Sequence, residues 1–330
     1  MLFRKCLSIC AVAATMMVGA TGVLEARELR VISGFDANYL WKVEVLDPFL
    51  EVVSRNTDNA ITFRVNGPDT VPTYEQLQPT QAGVFDVLFT HPAYHSGTTG
   101  VGMSIDAISS DPAKRRAAGV FDTIADHYRT KQGLELISAP PIGSQGFRYY
   151  LRTPITNDPG LQGMKIRGTA SYFPMIRALG GSPVNLPGGE MYTALERGTI
   201  DGAAWPTTGV IDFKVHEVAK YYTNPTFGQV GTMIFFNART WASLSPQQQD
   251  VILEAGRQAE ENAARLFDEL GNTELEALRA AGLEETPFSE KNAQQLERLW
   301  AEGVWEVAEQ ISKADVQKVR AVALEADLTY

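Results

Sequence analysis

The sequence predicts an α/β protein of two lobes, each a mostly parallel sheet flanked by helices, with one long helix spanning both lobes. Three observations predict it. Residues 29–89 alternate strand and helix patterns in βαβαβ order, which implies parallel strands with helices on the sheet faces. A helix–glycine–strand unit occurs twice. Glu75 lies eight residues before Gly83 and Asp86 three after it, and Glu190, Gly198 and Asp201 repeat those spacings. Finally, helical composition runs unbroken from Ser245 to about Ala281, about 50 Å of helix, longer than one small lobe needs.

The elements follow in order. Leu29–Ser33 reads as a first strand. Tyr39 to about Asn56 reads as a helix, with Val45, Leu46, Phe49, Val52 and Val53 on one face. Ile61–Val65 alternates as a half-buried strand. A short helix from Thr73 to Ala82 stops at Gly83. Val84–Phe89 is a near-continuous apolar run, the pattern of a strand buried on both faces. A helix over Ala113–Thr130 and strands at Leu134–Ser138 and Phe147–Leu151 come next. The second half adds a short strand ending in Lys165-Ile166-Arg167 and a strand over Ile200–Trp205. Ser245-Pro246-Gln247-Gln248 is a helix start: serine caps, proline fits the first turn and Gln248 reaches back. Ser289–Ser312 is a further amphipathic helix. With no low-complexity linker, crossings between lobes are expected to be short and strand-like. The expected division is a leader over residues 1–26, a first lobe over 27–145 plus 235–275, and a second over 146–234 plus 276–330, with a ligand cleft between them.

The leader has Arg4 and Lys5, an apolar stretch from Cys6 to Val18, and small residues at Ala20 and Ala26, the layout of a secretory signal peptide too short to span a membrane. Export to the periplasm is the expectation. Both cysteines, Cys6 and Cys10, fall inside it. The remaining chain then has no disulfide, thiolate metal site or cysteine nucleophile. Net charge is −10, and removing the leader leaves 27 basic and 38 acidic residues, a net of −11. Such a surface argues against nucleic acid as a partner and requires any anion site to be locally positive.

That requirement isolates a few arginines. Arg167 ends a strand, where its planar fork of donors can meet a carboxylate. Arg148, on the strand Phe147–Leu151, is a second candidate, and two arginines on neighbouring strands could share one carboxylate. Trp205 stands at the carboxyl end of a strand, where open α/β sheets bind ligands, and can supply an apolar wall and one N–H. Phe89, which ends the buried strand of the first lobe, and His91 and Tyr94, which follow it, are further contact candidates. His91 and His95 have a metal spacing for a helix, but Pro92 disfavours helix at His91. No Gly-x-Ser-x-Gly elbow, phosphate loop or Gly-x-Gly-x-x-Gly occurs. Asp86 and Asp201 read as turn or cap residues.

Together, Leu161-Gln162-Gly163-Met164-Lys165-Ile166-Arg167, Leu179-Gly180-Gly181-Ser182-Pro183-Val184 and Glu190-Met191-Tyr192-Thr193-Ala194-Leu195-Glu196-Arg197-Gly198-Thr199-Ile200-Asp201-Gly202 resemble the solute-binding proteins of TRAP (tripartite ATP-independent periplasmic) transporters. The resemblance implies the periplasmic-binding-protein fold, no enzymatic activity and delivery of a small organic acid to membrane subunits. It implies that Arg167 forms the salt bridge to the ligand carboxylate and that Arg148 matches a second family arginine, with one residue deleted between them. Many members carry Asn where this chain has Trp205. The difference turns the expectation from sialic-acid-like or dicarboxylate ligands to a monocarboxylate, 2-oxo acid or other acid with an apolar part. A few members with tryptophan here also use a cation. This sequence offers no ligand set for one, and neither metal nor cofactor is expected. The alternative is a secreted α/β hydrolase-type enzyme with an unrecognised active site, which would turn its ligand over rather than retain it.

Overall fold

The computed structural model describes residues 26–330. The expected leader lies outside them. Eleven strands form two sheets. In chain order they are β1 (Arg27–Ser33), β2 (Ile61–Asn66), β3 (Val87–Thr90), β4 (Leu134–Ser138), β5 (Phe147–Leu151), β6 (Lys165–Arg167), β7 (Ser182–Val184), β8 (Gly202–Pro206), β9 (Tyr221–Asn224), β10 (Met233–Asn237) and β11 (Glu284–Pro287). The first sheet has the order β2-β1-β3-β10-β4 and the second β11-β9-β5-β8-β6-β7. In each sheet all strands but one point the same way. The exceptions, β10 and β5, run antiparallel to both neighbours. They are also the strands that arrive from the other lobe.

The two lobes repeat one device. Gly83 and Gly198 end helices with φ of 81° and 67°, a conformation that costs glycine little. Three residues later, Asp86 Oδ2 accepts the backbone N–H of Arg30 at 2.9 Å, and Asp201 Oδ2 accepts that of Lys165 at 2.8 Å. The amides of Asp86 and Asp201 donate back to the carbonyls of Arg30 and Lys165 at 2.8 and 2.7 Å. Each aspartate thus fastens a neighbouring strand and starts its own, the cap role expected of both. The strands begin later than the apolar runs suggest. Val84 is 52% exposed and β3 starts at Val87, while β8 starts at Gly202 rather than Ile200. The aspartate side chain occupies the pairing position that the apolar pattern had assigned to strand.

Three helices also depart from expectation. The helix before Asn56 is π-helical over Lys42–Leu46 and regular over Asp47–Asn56. Pro48 lacks an N–H and crowds the turn before it, which widens. The 113–130 pattern is two helices, Pro112–Ala117 and Val120–His127, parted at Gly119 with φ of 77°. The 289–312 pattern is interrupted near its start, where Glu290–Ala293 is a separate turn of helix; the helix from Leu296 does break at Ser312, at φ −140° and ψ 55°, and a further helix continues beyond that kink to Glu325.

Two chain crossings join the lobes as a ribbon. Ile142 donates to the Val230 carbonyl at 3.0 Å and Thr232 to that of Pro140 at 2.9 Å, while Phe147 and Phe227 exchange both backbone bonds. The long helix, Pro246–Ala280, carries the capping box expected at Ser245 and Gln248. Two buried glutamates pin it. Glu260 accepts from Arg116 Nε and Nη2 at 2.6 and 2.8 Å and from the Ala139 amide in the first lobe. Glu274 accepts the amides of Gly209 and Ile211 in the second, at 2.7 and 2.8 Å. The C-terminal helix also touches both lobes, so residues 276–330 do not belong to the second lobe alone. Gly303 packs on Pro174, Ala308 on Gly100, and Asp315 bonds His127. Among the described residues no helix is long and apolar enough to cross a membrane.

Candidate functional site

The carboxyl ends of β6 and β8 lie across the cleft from that of β3, and the side chains around them line a narrow pocket between the lobes, with room for about one water molecule. Its wall includes Trp41, His91 and Tyr94 from the first lobe, and Phe147, Arg167, Thr169, Tyr172, Trp205 and Pro206 from the second. Six of these nine are aromatic rings, so the wall is flat and apolar with few polar atoms.

Arg167 ends β6 and is fully buried. Its Nε donates to the Leu186 carbonyl at 2.9 Å and its Nη1 to that of Ala204 at 3.0 Å. Nη2 is buried and has no hydrogen-bond partner. The fork is held rigidly on two sides while its third nitrogen has no partner of its own. A buried cation without a partner is costly, and an incoming anion removes that cost. The guanidinium lies 4.9 Å from the Trp205 ring. It also acts on nearby phenols. Burial pushes the Tyr94 and Tyr74 hydroxyls above the usual phenol range, and Arg167 pulls both the other way.

Trp205 is held in an aromatic clasp between lobes. It stacks on Trp41 at 5.6 Å and 17°, meets Phe213 edge-on at 5.0 Å, and donates from Nε1 to the Tyr39 hydroxyl at 3.1 Å. Further bonds cross the cleft from Leu40 to Asp212 and from Tyr74 to Asn185. His91 Nε2 lies 3.2 Å from Asp106 Oδ1 without the alignment of a hydrogen bond, and Nδ1 has no partner. Trp41 Nε1 and Thr169 Oγ1 are likewise buried and unpartnered.

The structure brings together Arg167, Trp205, His91 and Tyr94. It leaves out two expected residues. Arg148 shares a sheet face with Arg167 by register, but β8 separates their strands, so they are not neighbours. Arg148 turns its fork toward β9, donating to Thr207 Oγ1 at 3.2 Å and the Thr223 carbonyl at 2.9 Å, and does not line the cavity. Phe89 is fully buried against Phe35 and belongs to the core of the first lobe. His95 is no partner to His91. It bonds the Tyr128 hydroxyl at 2.8 Å, and burial lowers its pKa to about 3. Among the described residues no three His, Cys, Asp or Glu side chains are grouped to hold a metal.

The sequence reading missed Tyr39, Trp41, Thr169 and Tyr172. Thr169 and Tyr172 follow Arg167 directly, beyond a strand's carboxyl end, so the rule that picked Trp205 would have found them. Tyr39 and Trp41 were absorbed into a helix pattern. Their signal is the aromatic density after β1, from Phe35 to Trp41.

The model of the bacterial extracellular solute-binding proteins of family 7 matches residues 113–310. A monocarboxylate 2-oxoacid-binding periplasmic protein of Nostoc sp. is 28% identical over 166 residues, 48% of this chain and 45% of that one. The C4-dicarboxylate-binding periplasmic protein of Rhodobacter capsulatus is 27% identical over 179 residues, 52% of this chain and 53% of that one. The chain spans about half the length of these curated relatives. A TRAP periplasmic solute-binding protein from Desulfovibrio salexigens, solved with bound orotic acid, superposes with a TM-score of 0.80 at 20% identity, covering 91% of this chain and 98% of that one. An extracytoplasmic solute receptor from Bordetella pertussis that binds pyroglutamic acid gives 0.79 at 19%, covering 91% and 100%. At these identities the likeness is one of fold.

Proposed function

Since the chain belongs to the bacterial extracellular solute-binding protein family 7, we propose that it is the periplasmic receptor of a TRAP transporter and captures a small organic acid through Arg167. The observation that carries this reading is the fully buried guanidinium with Nη1 and Nε bound to carbonyls and Nη2 unpartnered, at the wall of a narrow interlobe pocket. A carboxylate there neutralises the charge and takes the N–H donors left on Nη2. Closure excludes water and strengthens the pair, a hinge motion of the kind periplasmic binding proteins use. Trp205, Trp41 and Tyr172 favour a monocarboxylate with an apolar or planar body over a dicarboxylate, because no second cationic residue lines the cavity. The acids named for the relatives and fold neighbours support this ligand class. The closed form then docks on membrane subunits and releases the ligand unchanged.

The test is a thermal-shift screen of the leader-free protein against organic acids, since a ligand that binds only the native state raises the melting temperature. A monocarboxylate is expected to raise it dose-dependently and to be recovered unchanged. A shift only with cations, or conversion of the acid, refutes the reading.

A further inference from the structure

We infer that Tyr94 is the first lobe's hold on the ligand carboxylate. Its hydroxyl and Arg167 Nη2 take the carboxylate from opposite sides of the cleft, so the acid group itself ties the lobes together. The inference rests on Arg167 holding the carboxylate and names the group that meets it from the other lobe.

Arg167 Nη2 is buried without a partner and can only donate. Three of the residues that line the pocket belong to the first lobe: Trp41, His91 and Tyr94. Trp41 Nε1 lies 3.2 Å from where a Cβ on Gly209 would stand, and Gly209 is not part of the wall, so that nitrogen sits against the neighbouring loop. Neither ring nitrogen of His91 has a hydrogen bond, so nothing fixes its polarity. Tyr94 has a fixed one. Burial raises its pKa, so the phenol is neutral and carries a proton, and a carboxylate only accepts. The charge of Arg167 pulls that pKa the other way, as expected of a guanidinium close to the hydroxyl. The residue is 6% exposed, and its ring is set by Tyr74 at 5.4 Å and 71°, His91 at 5.6 Å and Phe35 at 6.0 Å. Tyr74, another phenol on which Arg167 acts, already donates to Asn185 Oδ1 at 3.1 Å. The hydroxyls of Tyr39 and Tyr128 meet Trp205 and His95, whereas that of Tyr94 meets no protein partner among the described residues. The pocket has room for about one water molecule, so a single group entering it reaches Nη2 and this hydroxyl together. The two do not bond each other, and one carboxylate satisfies both.

The experiment measures orotate, pyroglutamate and pyruvate on the leader-free protein by calorimetry at one fixed pH. Tyr94→Phe keeps the ring and removes the hydroxyl. It is expected to leave the melting temperature of the acid-free protein no lower and to weaken each acid that binds by about tenfold or more. His91→Phe is the comparison and is expected to weaken them less. Combined with Arg167→Lys, Tyr94→Phe is expected to lose less than the product of the two separate losses, because both groups touch one carboxylate. A Kd within about threefold in Tyr94→Phe, a loss confined to His91→Phe, or separate losses that simply multiply overturns the inference. Failure of the Arg167 reading looks different: acids that bind Arg167→Ala as tightly as the unaltered protein, or none of the three binding, remove the carboxylate anchor and this inference with it.

Discussion

Replacing Arg167 by alanine tests the anchor directly. The side chain makes two bonds to carbonyls and offers one nitrogen and its charge to the cavity. Removing one partner of a buried charge pair costs about 2–5 kcal/mol. That is a loss of about 30- to 5,000-fold in Kd. Stability should change little. The carbonyls of Leu186 and Ala204 lose donors, at about 1–3 kcal/mol each, but an uncompensated buried cation disappears with them. Arg167→Lys separates charge from geometry. It keeps the cation but cannot bond Leu186, Ala204 and a carboxylate together, so about a tenfold loss is expected. The assay is calorimetry with the strongest acid from the thermal-shift screen, beside circular dichroism of each variant. An alanine variant with a native spectrum and a Kd within about threefold of the unaltered protein refutes the reasoning.

Three further outcomes are expected. Tyr39→Phe removes the acceptor for Trp205 Nε1 across the cleft; about a 2- to 10-fold weaker Kd and a more open scattering profile check it, and unchanged values of both contradict the clasp. Burial raises the Glu274 carboxyl to about 7, above the 4.5 of an unperturbed glutamate, so its contribution to stability is full below pH 4.5 and is lost as pH rises through 7, by at most about 3 kcal/mol. The melting temperature of Glu274→Gln relative to the unaltered protein should therefore climb between pH 4.5 and 7 and level off above; a falling difference contradicts it. In Gly100→Ala the new Cβ would collide with the Ala308 carbonyl oxygen, so a loss of about 1–3 kcal/mol, seen as a clear drop in melting temperature, is expected, whereas Gly97→Ala, with open space around it, should be neutral.

Much of the architecture was legible because local rules dictate it. The Ser245–Gln248 capping box, the glycine stops at 83 and 198, and the aspartates three residues later are short-range signals, and each does what its chemistry requires. The site was legible in part. Arg167 and Trp205 were found because strand ends are identifiable. Arg148 was misplaced because neighbourhood in a sheet is a tertiary fact: nothing local says that β8 inserts between β5 and β6. Two apolar runs overreached at Val84 and Ile200 for a related reason, since hydrophobicity does not show where a backbone bond is replaced by a carboxylate. The helix end expected at Ser312 is there as a kink, where the serine hydroxyl accepts the Gly100 amide; the further helix beyond it carries no start signal local enough to read.

The paired crossings at 140–147 and 227–232 have a mechanical consequence. Two backbones bonded side by side behave as a strap, which folds readily but does not let its edges slide past each other. In the proposed closure the halves approach along one repeatable path, like a book closing on its spine. The same rings meet at every closure, and recognition is settled by what is trapped rather than by how the pages fall together.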